Sequence, residues 1–307
     1  MRRCAQSCAR ASRAGFEVLG IRRGYAGLIA GEFLALGPRD VGGIIHLGGT
    51  MLGTSRCIEF TSEAGQQEAL HQLQRQRVSS LVVIGGNGSQ MGVCTLASRG
   101  MRLIGIASTI DNDVPGVDVS IGSTTALDTA LEAVDRLRTT ASAVERTFLV
   151  EVMGRDSGYL ALMTAIAGGA EAVVIPEIET HPEELAAKLR AARARGKSHA
   201  IVVVAEGAKY DAQALDQYFR DHGARLGFDL RVTRLGHVQR GGAPNVFDRL
   251  TASQLGAAAI ERIAEGEHGL MLGITGGFVQ ASQLARTVMS RKPLDMRVVE
   301  LANVLDQ

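Results

Sequence analysis

Five apolar runs punctuate the chain: LVVIGG (81–86), RLIGIA (102–107), TFLVEVMG (147–154), EAVVIPE (171–177) and AIVVVAEG (200–207). Between them lie stretches with helical periodicity, among them EALHQLQRQ (68–76), TALDTALEAVDRLRTTA (125–141) and PEELAAKLRAARARG (182–196). A strand with no polar alternation is buried on both faces, and helices alternating with such strands give parallel sheets covered on each side. The expected fold class is therefore α/β. Pro182 with Glu183 and Glu184 suits a helix start, and Arg193, Arg195 and Gly196 suit its end. In such sheets, ligands bind where loops leave the carboxyl ends of the strands.

Those loops are GGNGS (85–89), STIDND (108–113), MGRDSG (153–158) and EGAK (206–209). Glycines allow backbone N–H groups to approach a phosphate, and a following helix start favours an anion. GGNGS looks like such a phosphate cradle, against two rival readings: a tight turn whose glycines take positive φ, or a loose dinucleotide fingerprint of Gly86, Gly88 and Gly92 with Asp111 as the ribose-binding acid. STIDND argues against the nicotinamide reading. It sets Asp111 and Asp113 two residues apart with Thr109 close by, which suits proton and metal work better than a ribose contact. Further on, TRLGHVQRGGAPNVFDR (233–249) brackets His237 and Arg240 with Gly236, Gly241 and Gly242, a combination able to hydrogen-bond a polyhydroxylated anion.

Composition limits the partners. A chain of 307 residues, 46% of them hydrophobic, fits two globular domains. No apolar run reaches the ~18 residues of a membrane helix, so no membrane is expected. The net charge is +1, Trp is absent and aromatics make up 4%, so no nucleic acid is expected either. Cys4, Cys8, Cys57 and Cys94 lack zinc-site spacing and read as reduced thiols of a cytoplasmic enzyme. The Arg-rich start MRRCAQSCARASRAG has the composition of a transit peptide, but it also reads as a front helix stopping at Gly15 before the strand FEVLGI, the reading adopted here.

Taken together and in order, GYAGL (24–28), GGTMLGTSR (48–56), VVIGGNGS, STIDNDVPG, VEVMGRDSG, VVVAEG and LGHVQRGGAPNVFDR resemble the 6-phosphofructokinase family at bacterial-type spacing, over essentially the whole chain. The resemblance implies two Rossmann-like domains with mainly parallel sheets. These are a nucleotide-binding domain (1–122 plus 239–289) and a sugar-phosphate-binding domain (123–238 plus 290–307). It implies glycolytic phosphoryl transfer from ATP to the 1-hydroxyl of fructose 6-phosphate, with Mg2+, in an allosteric homotetramer whose active sites are shared between subunits.

By motif position the resemblance makes Asp111 the general base, with Thr109, Asp113 and Arg155 as its catalytic companions. Thr109, Ile110, Asp111, Met153, Gly154, Arg155, Glu206, His237, Val238, Gln239 and Arg240 would bind the sugar phosphate, with Arg146 and Arg231 given by a neighbouring subunit. Tyr25, Arg56, Cys57, Gly86, Asn87, Gly88 and Ser89 would bind the nucleotide, and Asn87 and Asp113 the metal. Arg138, Gly169, Glu171, Arg195, Lys197 and His199 match parts of the effector pocket, although its basic positions on the first helix are Ala5 and Ala9.

Three features bear on activity, the last two of them departures from the family. Pyrophosphate-dependent relatives commonly carry Asp and Lys where this chain has Gly88 and Ser108. Gly88 leaves room for an α-phosphate and Ser108 supplies no replacing cation, so ATP is the expected donor. Pyrophosphate dependence, or a catalytically weak sugar-phosphate-binding subunit, is the alternative. The family has Asp where this chain has Asn87, which predicts weakened metal binding and exposes an Asn-Gly pair to deamidation. Finally, Met1 aligns just beyond the family's first strand and first glycine-rich turn, so the start of the frame is expected further upstream.

Overall fold

The computed structural model describes residue 11 and residues 14–223, 229–287, 290 and 292–305. Most of the front helix, with Cys4, Cys8, Ala5 and Ala9, lies outside the described residues. The strands are β1 (Leu19–Ile21), β2 (Phe33–Ala35), β3 (Leu81–Gly85), β4 (Leu103–Ala107), β5 (Thr147–Val152), β6 (Ala172–Val174), β7 (Ala200–Ala205), β8 (Leu230–Arg234), β9 (Leu270–Thr275) and β10 (Phe278–Gln283). All five apolar runs supply strands. The chain divides into two compact units, the first formed by 1–109, 113–122 and 242–292, the second by 110–112, 123–241 and 293–307.

In the first unit the sheet order is β10-β9-β4-β3, with β3, β4 and β9 parallel. Every residue of β4 is buried, as its unbroken apolar run requires. One face packs Leu73, Val93, Leu96 and Met271, and the other packs Ile104, Ile106, Leu255 and Leu272. The β9–β10 hairpin was not among the runs read from the sequence. It pairs Thr275 with Phe278 through Gly276 and Gly277, whose φ values of 60° and 84° are those of a tight two-residue hairpin turn. A small β1–β2 ribbon completes this unit.

The second unit has the order β6-β7-β5-β8, all parallel. Along β7, Ile201, Val203 and Ala205 face one core while Val202 and Val204 face the other, so each face receives alternate residues. Helices Ser123–Val144 and Tyr159–Gly168 cover the first core, and Pro182–Ala194 and Ala212–Asp221 cover the second. Pro182 opens its helix, His181 and Glu184 form a capping box, and Gly196 follows the end with φ 91°, as the end signals required.

Candidate active site

In the first unit, GGNGS is a helix start rather than an open turn. Gly86 caps the helix Asn87–Ser98 in extended geometry, and Asn87, Gly88 and Ser89 form its first turn. Gly85, Gly86 and Gly88 are absent from the positive-φ residues, which removes the reading in which these glycines are needed for left-handed backbone. Their use is steric. A Cβ on Gly86 would lie 3.2 Å from the Thr109 side chain, whereas a Cβ on exposed Gly88 would meet nothing within 4 Å. The turn thus abuts Thr109 on one side and is open at Gly88, with first-turn N–H groups that have no partner inside the helix.

Neighbouring residues fix that turn. The buried Gln90 amide donates to Gly85 O and Ile106 O, each at 3.1 Å, and so ties the ends of β3 and β4 together. Tyr25 stacks on Phe60 at 4.0 Å, donates its hydroxyl to Ser89 O at 2.7 Å, and covers Gly92, where a Cβ would come within 2.6 Å of the ring. Burial pushes the Tyr25 phenol well above its ordinary pKa. Tyr25 therefore braces the turn from behind. Arg56 is exposed in the segment before Phe60, and Cys57 packs against that residue's core.

Asn87 donates its amide to the backbone carbonyl of Asp113 at 3.3 Å, so both expected metal positions are adjacent within this unit. They offer one carboxylate and one amide oxygen. Among the described residues, no group of three or more His, Cys, Asp or Glu could hold a metal by itself. Magnesium commonly binds through one or two carboxylates plus phosphate oxygens, and the pair fits an ion that arrives with a nucleotide. Lys292 reaches the same segment from far along the chain, donating to Asp118 O at 2.7 Å, and burial lowers its pKa to about 8 against the pull of Asp118 and Asp113.

In the second unit, five expected residues converge at the carboxyl ends of β5 and β7. Glu206 accepts from the N–H groups of Gly154 (3.3 Å) and Arg155 (3.0 Å), and buried Gln239 accepts from Met153 N–H at 2.7 Å. Arg155 sits in the left-handed region at φ 52°, which turns its side chain to within 3.5 Å of Asp111. Asp111 is buried and follows Ile110, a residue packed against this unit's core. His237, Val238 and Arg240 share the single-turn helix Gly236–Arg240 with Gln239 and are exposed.

Sequence reasoning missed three supports. A Cβ on Gly207 would fall inside the Arg155 carbonyl, so only glycine lets β7 pass the strained turn. Buried Asn112, at φ 49°, hydrogen-bonds Tyr159 through its side chain and so anchors the residue after Asp111. Asp229 is the third. Of these, Gly207 and Asn112 stood inside motifs already recognised, while Asp229 carries no local signal.

Two expected residues stand apart. Arg146 precedes β5 and Arg231 lies near the start of β8, at the end of the sheet opposite Arg155 and Glu206. β5 has six residues, so roughly 20 Å of strand separates the two groups. Among the residues expected at an effector pocket, Arg138 donates to the carbonyls of Gly168 and Gly169, and Lys197 pairs with buried Glu171 at 3.1 Å. Arg195 is exposed just past its helix, and His199 Nδ1 lies 3.3 Å from the Ser198 hydroxyl.

The chain is similar to known phosphofructokinases in sequence and in fold. The phosphofructokinase family model matches residues 1–263. ATP-dependent 6-phosphofructokinase 1 of Thermus thermophilus is 47% identical over 293 residues, covering 95% of this chain and 90% of that protein. The Thermotoga neapolitana ATP-dependent 6-phosphofructokinase is 44% identical over 292 residues, with the same coverage. Among solved structures, Pichia pastoris phosphofructokinase in the T-state superposes with a TM-score of 0.87 at 31% identity, covering 100% of this chain, which spans 35% of that one. A pyrophosphate-dependent phosphofructokinase from Marinobacter aquaeolei shares the fold, with a TM-score of 0.82 at 20% identity over 96% of this chain and 82% of that one.

Proposed function

The chain belongs to the phosphofructokinase family, and from that membership we propose that it transfers the γ-phosphoryl group of ATP to the 1-hydroxyl of fructose 6-phosphate. The products are fructose 1,6-bisphosphate and ADP, the glycolytic step. The observation carrying the residue assignment is the Asp111–Arg155 pair, a buried carboxylate beside an exposed guanidinium held by strained backbone. Asp111 accepts the proton of the sugar hydroxyl as it attacks, and Arg155 neutralises charge on the transferred group.

The first unit is the nucleotide-binding domain. Its helix start at Asn87, Gly88 and Ser89 hydrogen-bonds nucleotide phosphates, and the open space at Gly88 supports ATP over pyrophosphate as donor. Tyr25 holds this turn in shape, while Arg56 and Cys57 border the nucleotide. Asn87 and Asp113 would hold Mg2+, which would screen phosphate charge when bound. Thr109 lies against Gly86 and orients the approach.

The second unit is the sugar-phosphate domain. Ile110, Met153, Gly154, Glu206, His237, Val238, Gln239 and Arg240 frame the sugar. Arg146 and Arg231, too distant along the strands to reach the same small ligand, serve a neighbouring copy, and this supports a homotetramer with shared sites. Effector binding falls to Arg138, Gly169, Glu171, Arg195, Lys197 and His199. The proposed location is cytoplasmic; among the described residues no helix is long and apolar enough to cross a membrane. A coupled assay with fructose 6-phosphate and either ATP or pyrophosphate tests the reading: turnover with ATP is expected, and turnover with pyrophosphate alone overturns the donor assignment.

A further inference from the structure

At the amino-terminal rim of the second unit's sheet, one carboxylate joins two arginines that are far apart in sequence. Arg231 Nη1 lies 3.0 Å from Asp229 Oδ1 and its Nη2 lies 2.9 Å from Oδ2, so the guanidinium fork grips the carboxylate with both prongs. Arg146 Nε lies 3.9 Å from the same Oδ2. The parallel pairing of Thr147 with Leu230 and Phe148 with Arg231 fixes this meeting, because it sets the residues before β5 and β8 side by side.

We infer that Asp229 is a built-in competitor for the phosphate site formed by Arg146 and Arg231, and so a residue that sets which anions that site accepts. The inference rests on reading these arginines as anchors for a sugar phosphate bound by a neighbouring copy. A carboxylate and a phosphate present two oxygens to a guanidinium fork in nearly the same geometry, so the two N–H groups holding Asp229 cannot fully serve a phosphate as well. An incoming anion must displace Asp229 or share the fork with it. A phosphate dianion gains from both arginines and offsets the lost pair, whereas a monoanion merely exchanges one unit charge for another.

The side chains of Arg146, Arg231 and Asp229 are 46%, 45% and 62% exposed, so solvent screens the pair and displacement is easy. Removing it shifts affinity by only about two- to fivefold. Asp229 itself touches no substrate in this scheme; it is a positioning residue acting through the arginines.

The test compares Asp229→Asn, Asp229→Ser and Arg231→Ala with the unaltered chain, measuring fructose 6-phosphate binding at equilibrium, steady-state kinetics, and inhibition by inorganic phosphate. Both Asp229 variants are expected to lower the half-saturating fructose 6-phosphate concentration about two- to fivefold, with a smaller change in kcat. Inorganic phosphate should inhibit them at correspondingly lower concentration. A merely structural role would raise that half-saturation or leave it alone. Unchanged or weaker sugar-phosphate binding in both Asp229 variants, with Arg231→Ala clearly weakened, overturns the competitor role and leaves the arginine assignment standing. If Arg231→Ala also binds normally, the arginine assignment fails and the inference falls with it.

Discussion

Arg155 Nε stands 3.5 Å from Asp111 Oδ2, a mostly exposed cation on a carboxylate that is 2% exposed. The buried carboxylate thus faces a cation that remains reachable by an anionic ligand. Replacing Asp111 by Asn keeps the shape and removes the base. The expected result is a fall in kcat of about 10²- to 10⁴-fold with fructose 6-phosphate binding largely kept. Wild-type-like kcat in Asp111→Asn, measured by the coupled assay, would remove Asp111 from the base role.

Gly207 guards the turn that presents Arg155. Because a Cβ there would enter the Arg155 carbonyl, Gly207→Ala must push the turn away from β7. The chain should lose about 1–3 kcal/mol of stability, the scale of overpacking, and more than tenfold in kcat as Arg155 and the N–H groups held by Glu206 shift. Thermal unfolding and kinetics report the two effects separately, and an unchanged kcat would show that the turn can move without consequence.

Asn87 links the nucleotide turn to Asp113 by donating its amide N–H. Asn87→Asp replaces that donor with an acceptor, which faces the Asp113 carbonyl unfavourably until a cation bridges the two. The variant should be less stable without metal, be more strongly stabilised by Mg2+, and reach half-maximal activity at roughly tenfold lower Mg2+. Identical Mg2+ dependence in both proteins would show that position 87 does not bind the ion.

Lys292 gives a pH prediction. Its folded-state pKa is about 8, below the ordinary 10.5, because burial disfavours the charged form. The unfolded chain therefore binds more protons at this site between these values, and stability rises with pH. This gain is complete above about 10.5 and is lost as pH falls through about 8. The difference in melting temperature between wild type and Lys292→Met should move in favour of wild type from pH 7.5 to pH 10. A pH-independent difference would count against a desolvated lysine here.

Much of the fold was legible in local pattern. RLIGIA and AIVVVAEG are apolar without alternation because their strands are buried on both faces, whereas LVVIGG forms an edge strand whose residues before Gly85 are only partly buried; Pro182 and Gly196 bracket a helix because each suits the backbone at its end. At GGNGS the rival reading, a turn whose glycines take positive φ, fails: the structure uses these glycines for clearance against Thr109 and for open space at a helix start. The β9–β10 hairpin escaped because β10 is a polar edge strand whose exposed pattern resembles a loop.

The chain's order of apolar and helical segments was enough to determine parallel sheets, with the proposed chemistry at their carboxyl ends, since burial and hydrogen bonding leave few other ways to cover such strands. Its motifs named the groups that would do that chemistry. Tertiary structure decided which of them meet: Arg155 with Asp111, Glu206 with the Gly154–Arg155 backbone, and Arg146 with Arg231 through Asp229 at the far rim. Strand register sets those meetings, and register depends on pairings between residues tens of positions apart, which no local stretch encodes.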